Sequence, residues 1–235
     1  MDVWRDNDAG EEWPLFHDRR EAGAVLAQHL ARFGGTGTVV LGIPRGGVVV
    51  AAEVARRLGA PLDVLVARKL GAPFAAELAI GAVTANGVRF LNQALIDQLA
   101  VPDPYVAAVT EAQRAEAQQR ELRFRASRHP VAVRGRTAIL VDDGLATGAT
   151  VRAAVRSLRG RQPARIVVAV PVGSGPSCTA LRTEADEVVC PFELADFEAV
   201  ERYYVDFRKT TDDEVQELMA LARPGSLSAG PSLHR

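Results

Sequence analysis

Ile139-Leu140-Val141-Asp142-Asp143-Gly144-Leu145-Ala146-Thr147-Gly148-Ala149-Thr150 is the stretch on which the fold and the chemistry turn. The apolar run Thr137 to Val141 reads as a strand, and it delivers two adjacent carboxylates at its carboxyl end, where open α/β folds bind their ligands. A small-residue turn then brings the backbone N–H groups of Thr147 to Thr150 to the start of a helix that runs to about Leu158. Unpaired donors and a positive dipole end make such a terminus suited to phosphate. Gly148 permits close approach, the hydroxyls of Thr147 and Thr150 add donors, and a Thr is expected to cap the helix. Acids for sugar hydroxyls thus lie beside donors for a phosphate, and a ribose 5-phosphate satisfies both. The Gly-x-x-x-x-Gly-Lys-Ser/Thr order of a Walker A loop is absent, which argues against an ATPase of that class.

Outward from this motif, short aliphatic runs alternate with helical patterns, the signature of crossover helices around a parallel sheet. The expected fold class is α/β, a mainly parallel twisted sheet flanked by helices. A helix from Asp18 to Phe33 is stopped by Gly34-Gly35. Strand one, Thr38 to Ile43, leads through Pro44-Arg45-Gly46-Gly47 into a helix from Val48 to Leu58 that Gly59 closes. Strand two spans Leu62 to Ala67 and exits through Arg68-Lys69. Gly71 to Arg89 shows no sustained period and reads as an irregular loop, ending in a short strand at Val88 to Leu91. A helix from Asn92 to Leu99 is broken by Pro102 and Pro104, and Tyr105 to Arg128 forms a long, partly exposed helix. Further strands are expected at Arg165 to Val170 and Glu187 to Val189, with a helix from Ser177 to Glu184 between them and Ser174 in a turn. The last helix, Asp212 to Leu221, is capped by the Thr-Thr-Asp-Asp run.

The 235 residues are 48% hydrophobic and 24% charged, which suits a soluble globular protein and excludes a disulfide framework or a disordered chain. With 28 basic and 29 acidic residues, bulk charge gives no case for nucleic acid or anionic lipid. Two cysteines, Cys178 and Cys190, are too few for a stapled secreted scaffold and lack zinc-site spacing. No apolar run is long enough to span a bilayer, the acidic start lacks the apolar core of a signal peptide, and a cytoplasmic location is expected. The four histidines are scattered and form no metal or nucleophile signature.

The twelve-residue motif resembles the PRPP-binding motif of the type I phosphoribosyltransferases. That resemblance implies ribose hydroxyls on Asp142 and Asp143, a 5-phosphate cradle at Ala146, Thr147, Gly148, Ala149 and Thr150, and Gly144 among the PRPP-binding residues. In the family the loop after the first core strand contacts pyrophosphate, and Arg45 with Gly46 would occupy that place. Arg68 and Lys69 resemble the basic pair that opens a flexible catalytic loop in adenine-type members, closing over the leaving group. Glu77, the one acid in that loop, reads as a solvated carboxylate. Members acting on 6-oxopurines carry an acid before the Thr-Gly pair, whereas this chain has Ala146, so adenine-type, orotate-type or other acceptors are favoured. Phe192, Phe197, Tyr203, Tyr204 and Phe207 gather five of the thirteen aromatics near the expected hood, more as core or dimer contacts than as a base-stacking platform, and the segment Tyr203 to Thr211 with Arg208 and Lys209 is expected to close the site.

The expected function is transfer of ribose 5-phosphate from PRPP to a nitrogenous base with release of pyrophosphate, dependent on Mg²⁺. Arg45, Lys69, Asp142 and Asp143 are the catalytic candidates. The alternative is a PRPP-binding regulator without turnover. Expected partners are PRPP and the base, in a homodimer, with no nucleic acid and no membrane. The domain should occupy 14–223, with a helical insertion at about 92–128 and a hood drawn partly from 190–223, between disordered segments at 1–13 and 224–235.

Overall fold

A computed structural model describes residues 14–126 and 128–222. The expected loose segments at either end lie outside the described residues. Helix α1 (Arg19–His29) starts on Asp18, whose side chain accepts from the N–H groups of Arg20 and Glu21. After a 3₁₀ turn at Ala31–Phe33 come β1 (Thr38–Gly42) and α2 (Gly46–Leu58), which Gly59 ends at a φ of 62°. Helix α2 therefore begins two residues before the expected Val48 and takes in both glycines of the turn.

Strand β2 (Leu62–Val64) is shorter than expected, because the chain leaves the parallel sheet and Ala67 opens another one. The segment expected to be an irregular loop instead holds the long strand β4 (Ala75–Thr84), which pairs antiparallel with β3 (Ala67–Ala72) and with β5 (Arg89–Leu91), the short strand expected at Val88 to Leu91, in a three-stranded sheet. Its alternation is hidden by register shifts on both sides of Gly71. The glycines that looked like breakers serve strand contact. A Cβ on Gly71 would lie 2.5 Å from the Ala76 carbonyl oxygen, and one on Gly81 would lie 2.4 Å from that of Phe90.

Helices α3 (Gln93–Gln98) and α4 (Asp103–Arg125) follow. Helix α4 starts two residues before the expected Tyr105, with Pro104 in its first turn, where the missing N–H costs nothing. The helix ends at Arg125 rather than Arg128. Strand β6 (Thr137–Val141), α5 (Ala149–Arg159) and β7 (Arg165–Ala169) match their expected places. A short β8 (Val172–Ser174) then precedes α6 (Gly175–Leu181), with Ser174 at the N-cap position rather than in a free turn. After β9 (Glu187–Val189), β10 (Phe192–Leu194) pairs with β8. Helix α7 (Asp212–Leu221) has a capping box between Thr211 and Glu214.

The main sheet runs β2-β1-β6-β7-β9, all parallel. Strand β1 is buried at every residue, as expected where helices cover both faces. One apolar core joins the sheet to α1, α2, α4 and α7, and the other joins it to α5 and α6. Gly42 pairs with Val141, so β1 and β6 end level and their following loops emerge side by side. That alignment places the site. Among the described residues no helix is long and apolar enough to cross a membrane.

Candidate functional site

Asp142 and Asp143 leave the end of β6 in different environments. Asp142 Oδ1 accepts from the Asp143 N–H at 2.9 Å, which closes the turn on itself. Burial, and then the neighbouring Asp143 charge, push the Asp142 carboxyl well above the ordinary carboxylate range. Asp143 turns its carboxylate the other way, to Arg19 Nε at 2.7 Å, while its carbonyl accepts from the Tyr204 hydroxyl at 2.6 Å.

The turn beyond them is stitched to the next layer. Leu145 N–H donates to Val172 O and Ser174 N–H donates to Leu145 O, while the Ser177 hydroxyl donates to the Ala146 carbonyl at 2.5 Å. Gly148 then adopts a φ of 73° and stands at the N-cap of α5, with no side chain capping the helix. The expected Thr cap is not formed, because the residue at the cap position carries no side chain. The first N–H groups of α5 are thereby left for an anion, the arrangement a phosphate would use.

The loop after β1 lies against this one. Its Pro44–Arg45 peptide bond is cis, and Ile43 N–H donates to Val141 O at 2.9 Å. A Cβ on Gly46 would fall 1.9 Å from Asp143 Oδ2 and 2.5 Å from Arg19 Nε, so only glycine fits. Arg45 Nη1 stands 3.6 Å from Asp212 Oδ1, and the other oxygen of Asp212 receives Arg123 Nη1 at 2.9 Å.

These loops bound a cleft of about 430 Å³ whose lining includes Asp142, Asp143, Thr150, Arg45, Gly46 and Lys69. Phe207, Lys209 and Thr210, from the segment Tyr203 to Thr211 expected to close the site, also line it, as does Arg19, which was not among the expected site residues. Strand geometry separates the expected basic pair. Successive side chains on β3 point to opposite faces. Lys69 faces the cleft, and Arg68 turns to α4, where its Nε donates to Gln113 Oε1 at 2.9 Å. Glu77 is exposed on β4 and does not line the cleft. Lys69 and Lys209 are the chain's only lysines, against 26 arginines, and both are in this cleft.

The late aromatics build a small core of their own. Phe16 packs edge-on to Phe192 at 5.5 Å between centroids, and Phe197 stacks on Tyr203 at 5.2 Å. Phe207 reaches the cleft, yet the Arg19 guanidinium lies 3.8 Å from its ring centroid and Tyr204 packs at 5.1 Å. Its ring is occupied by protein.

Residues 16–73 and 74–208 match the sequence profile of the phosphoribosyl transferase domain. Two Mycobacterium tuberculosis proteins, from strains CDC 1551 and H37Rv and provisionally named phosphoribosyl transferases, are each 46% identical over 216 residues. These alignments cover 92% of this chain and 49% of each relative, so the chain spans about half the length of the curated relatives it matches. The crystal structure of TT1426 from Thermus thermophilus is 45% identical, with a TM-score of 0.73 over 87% of this chain and 97% of that one. With the domain profile spanning its sheet and all but the last residues of its cleft, the chain belongs to the type I phosphoribosyltransferase family.

Proposed function

We propose that the chain transfers ribose 5-phosphate from PRPP to a nitrogenous base. The observation that carries this reading is the meeting of the Asp142–Asp143 pair, the uncapped start of α5 and the cations Arg45, Lys69 and Lys209 around one cleft. In the reaction the bond from sugar carbon one to pyrophosphate breaks and a bond to the base nitrogen forms, while that nitrogen releases its proton to water. Carbon one becomes cation-like as the leaving group departs. Catalysis therefore needs a sugar held in fixed orientation and positive charge ready on the pyrophosphate.

The residues divide along those lines. The two carboxylates accept from the ribose hydroxyls, and the N–H groups of Thr147 to Thr150 receive the 5-phosphate. Arg45 and the open backbone at Gly46 meet the pyrophosphate, joined by Lys69 from β3.

Among the described residues no group of three His, Cys, Asp or Glu side chains forms a metal cage. Mg²⁺ commonly binds through one or two carboxylates together with substrate phosphates, so a metal carried on PRPP suits this donor set. Asp142 and Asp143 would hold it at one remove, through the sugar hydroxyls. When bound it supplies charge neutralisation on the pyrophosphate oxygens.

Pyrophosphate release from PRPP, measured with Mg²⁺ across adenine, orotate, 6-oxopurines and other bases, tests the reading. Turnover with at least one base is expected, with 6-oxopurines the poorest acceptors. Saturable PRPP binding with no release on any base would instead establish a PRPP-binding regulator.

A further inference from the structure

The sugar-binding acids do not hold themselves in place. Asp143 lies beyond the last ladder pair of β6, and its carboxylate is fixed by a residue 124 positions earlier in the chain, Arg19. That arginine is only 9% exposed. Its Nε donates to Asp143 Oδ2, its Nη1 donates to the Arg208 carbonyl at 2.9 Å, and its guanidinium covers the Phe207 ring.

Nothing in helix energetics favours an arginine there. Arg19 is the first residue of α1, where the positive end of the helix dipole opposes a cation, and a buried charge is costly unless paired. The compensation comes from Asp143 and from the segment 204–208, both beside the cleft. The pair is also wedged against the loop after β1, since Gly46 leaves no room for a Cβ beside either partner. One ion pair thus joins the loop at the sugar hydroxyls to the loop at the pyrophosphate.

We propose that Arg19 is a positioning residue for the sugar, holding the Asp143 carboxylate by Oδ2 so that Oδ1 is presented to a ribose hydroxyl. The same contact couples that orientation to the segment carrying Phe207 and Lys209. This inference rests on the phosphoribosyl reading of the cleft.

Calorimetric PRPP titration of the wild type, Arg19→Gln, Asp143→Asn, the double variant and Arg19→Lys, with thermal unfolding of each, tests it. Asp143→Asn leaves Asp142 to hold the sugar, so residual affinity remains measurable. Arg19→Gln should weaken PRPP about tenfold in the wild type and add almost nothing to Asp143→Asn, as partners in one contact do. Arg19→Lys should recover part of the loss, because an ammonium can reach one oxygen without the planar fork. Wild-type affinity in Arg19→Gln, or losses that multiply in the double variant, would overturn the proposal. Should Arg19→Gln fail to fold, Arg19→Lys carries the same cycle, and if neither folds Arg19 is a scaffold residue and the proposal fails. A wild type that does not bind PRPP overturns the phosphoribosyl reading and this inference with it, whereas a binding wild type with an indifferent Arg19→Gln overturns this inference alone.

Discussion

The turn between β6 and α5 and the hairpin of β3 and β4 both border the cleft, and they are built on opposite terms. The turn is fastened from several directions: Val172 and Ser174 bond Leu145, Ser177 bonds Ala146, and Tyr204 and Arg19 grip Asp143. The hairpin is buried at its base through Leu70, Ile80 and Val83, while Phe74 to Leu78 at its tip are exposed. The charged groups follow the same division. Arg19 and Asp143 neutralise each other inside the fastened region, whereas Lys69 stands exposed on the hairpin. Prior fixing of a substrate removes part of the entropy that reaction would otherwise cost, and on the proposed reading the fastened turn would do this at the sugar. On the same reading the cations for the leaving group come from the exposed Lys69 of the hairpin and from Arg45 in the loop after β1.

The contrast can be broken most severely at Gly46. Gly46→Ala places a Cβ into the Arg19–Asp143 pair and should weaken PRPP by about 100-fold, with a stability loss of about 1–3 kcal/mol from overpacking, read by calorimetry and by chemical denaturation. Unchanged affinity would mean that the two loops move independently.

A smaller and more selective effect is expected on the hairpin. Lys69→Ala should lower turnover about 30-fold while leaving ribose 5-phosphate affinity within about twofold, the pattern of a group that acts on the departing charge. Arg68→Ala, whose partner is Gln113 on α4, should change turnover by less than about threefold. Equal losses in the two variants, in steady-state pyrophosphate release, would refute the division of β3 into a cleft face and a helix face.

The smallest effect concerns stability and pH. The Asp142 carboxyl is raised by burial and by Asp143, so its protonated form is favoured in the folded chain. Its contribution to stability is therefore fully present below the unfolded carboxylate range and is lost as pH rises through the raised folded value. Asp142→Asn removes the charge and keeps an oxygen for the Asp143 N–H. It should raise Tm by about 2–4 °C at pH 8, as a gain of about 1 kcal/mol does in a domain of this size. The gain should fade toward pH 4, and a gain equal at both values in thermal unfolding would contradict the assignment.

The Asp142 to Thr150 motif was legible because its strand, acids and turn are contiguous, and α7 because Thr211 and Glu214 announce its start within four residues. The hairpin was not. Its register shifts around Gly71 cancel the period of two by which strands are recognised. Strands β8 and β10 are three residues each and exist by pairing with one another across α6 and β9, a contact no local window contains. Arg19 escaped the candidate site for the same reason, since packing and not sequence spacing brings it to Asp143, whereas Lys209 was legible only as part of a segment that closes the site. A cation directly after an Asp cap, where the helix dipole disfavours it, was the one local hint of Arg19.

Titration of PRPP with Mg²⁺ into the wild type and into Asp142→Asn combined with Asp143→Asn addresses the sugar grip directly. Saturable binding at one site per chain is predicted for the wild type, with loss of measurable binding in the double variant while it still unfolds cooperatively. Equal affinity in the two proteins would contradict the assignment of the paired acids to the ribose.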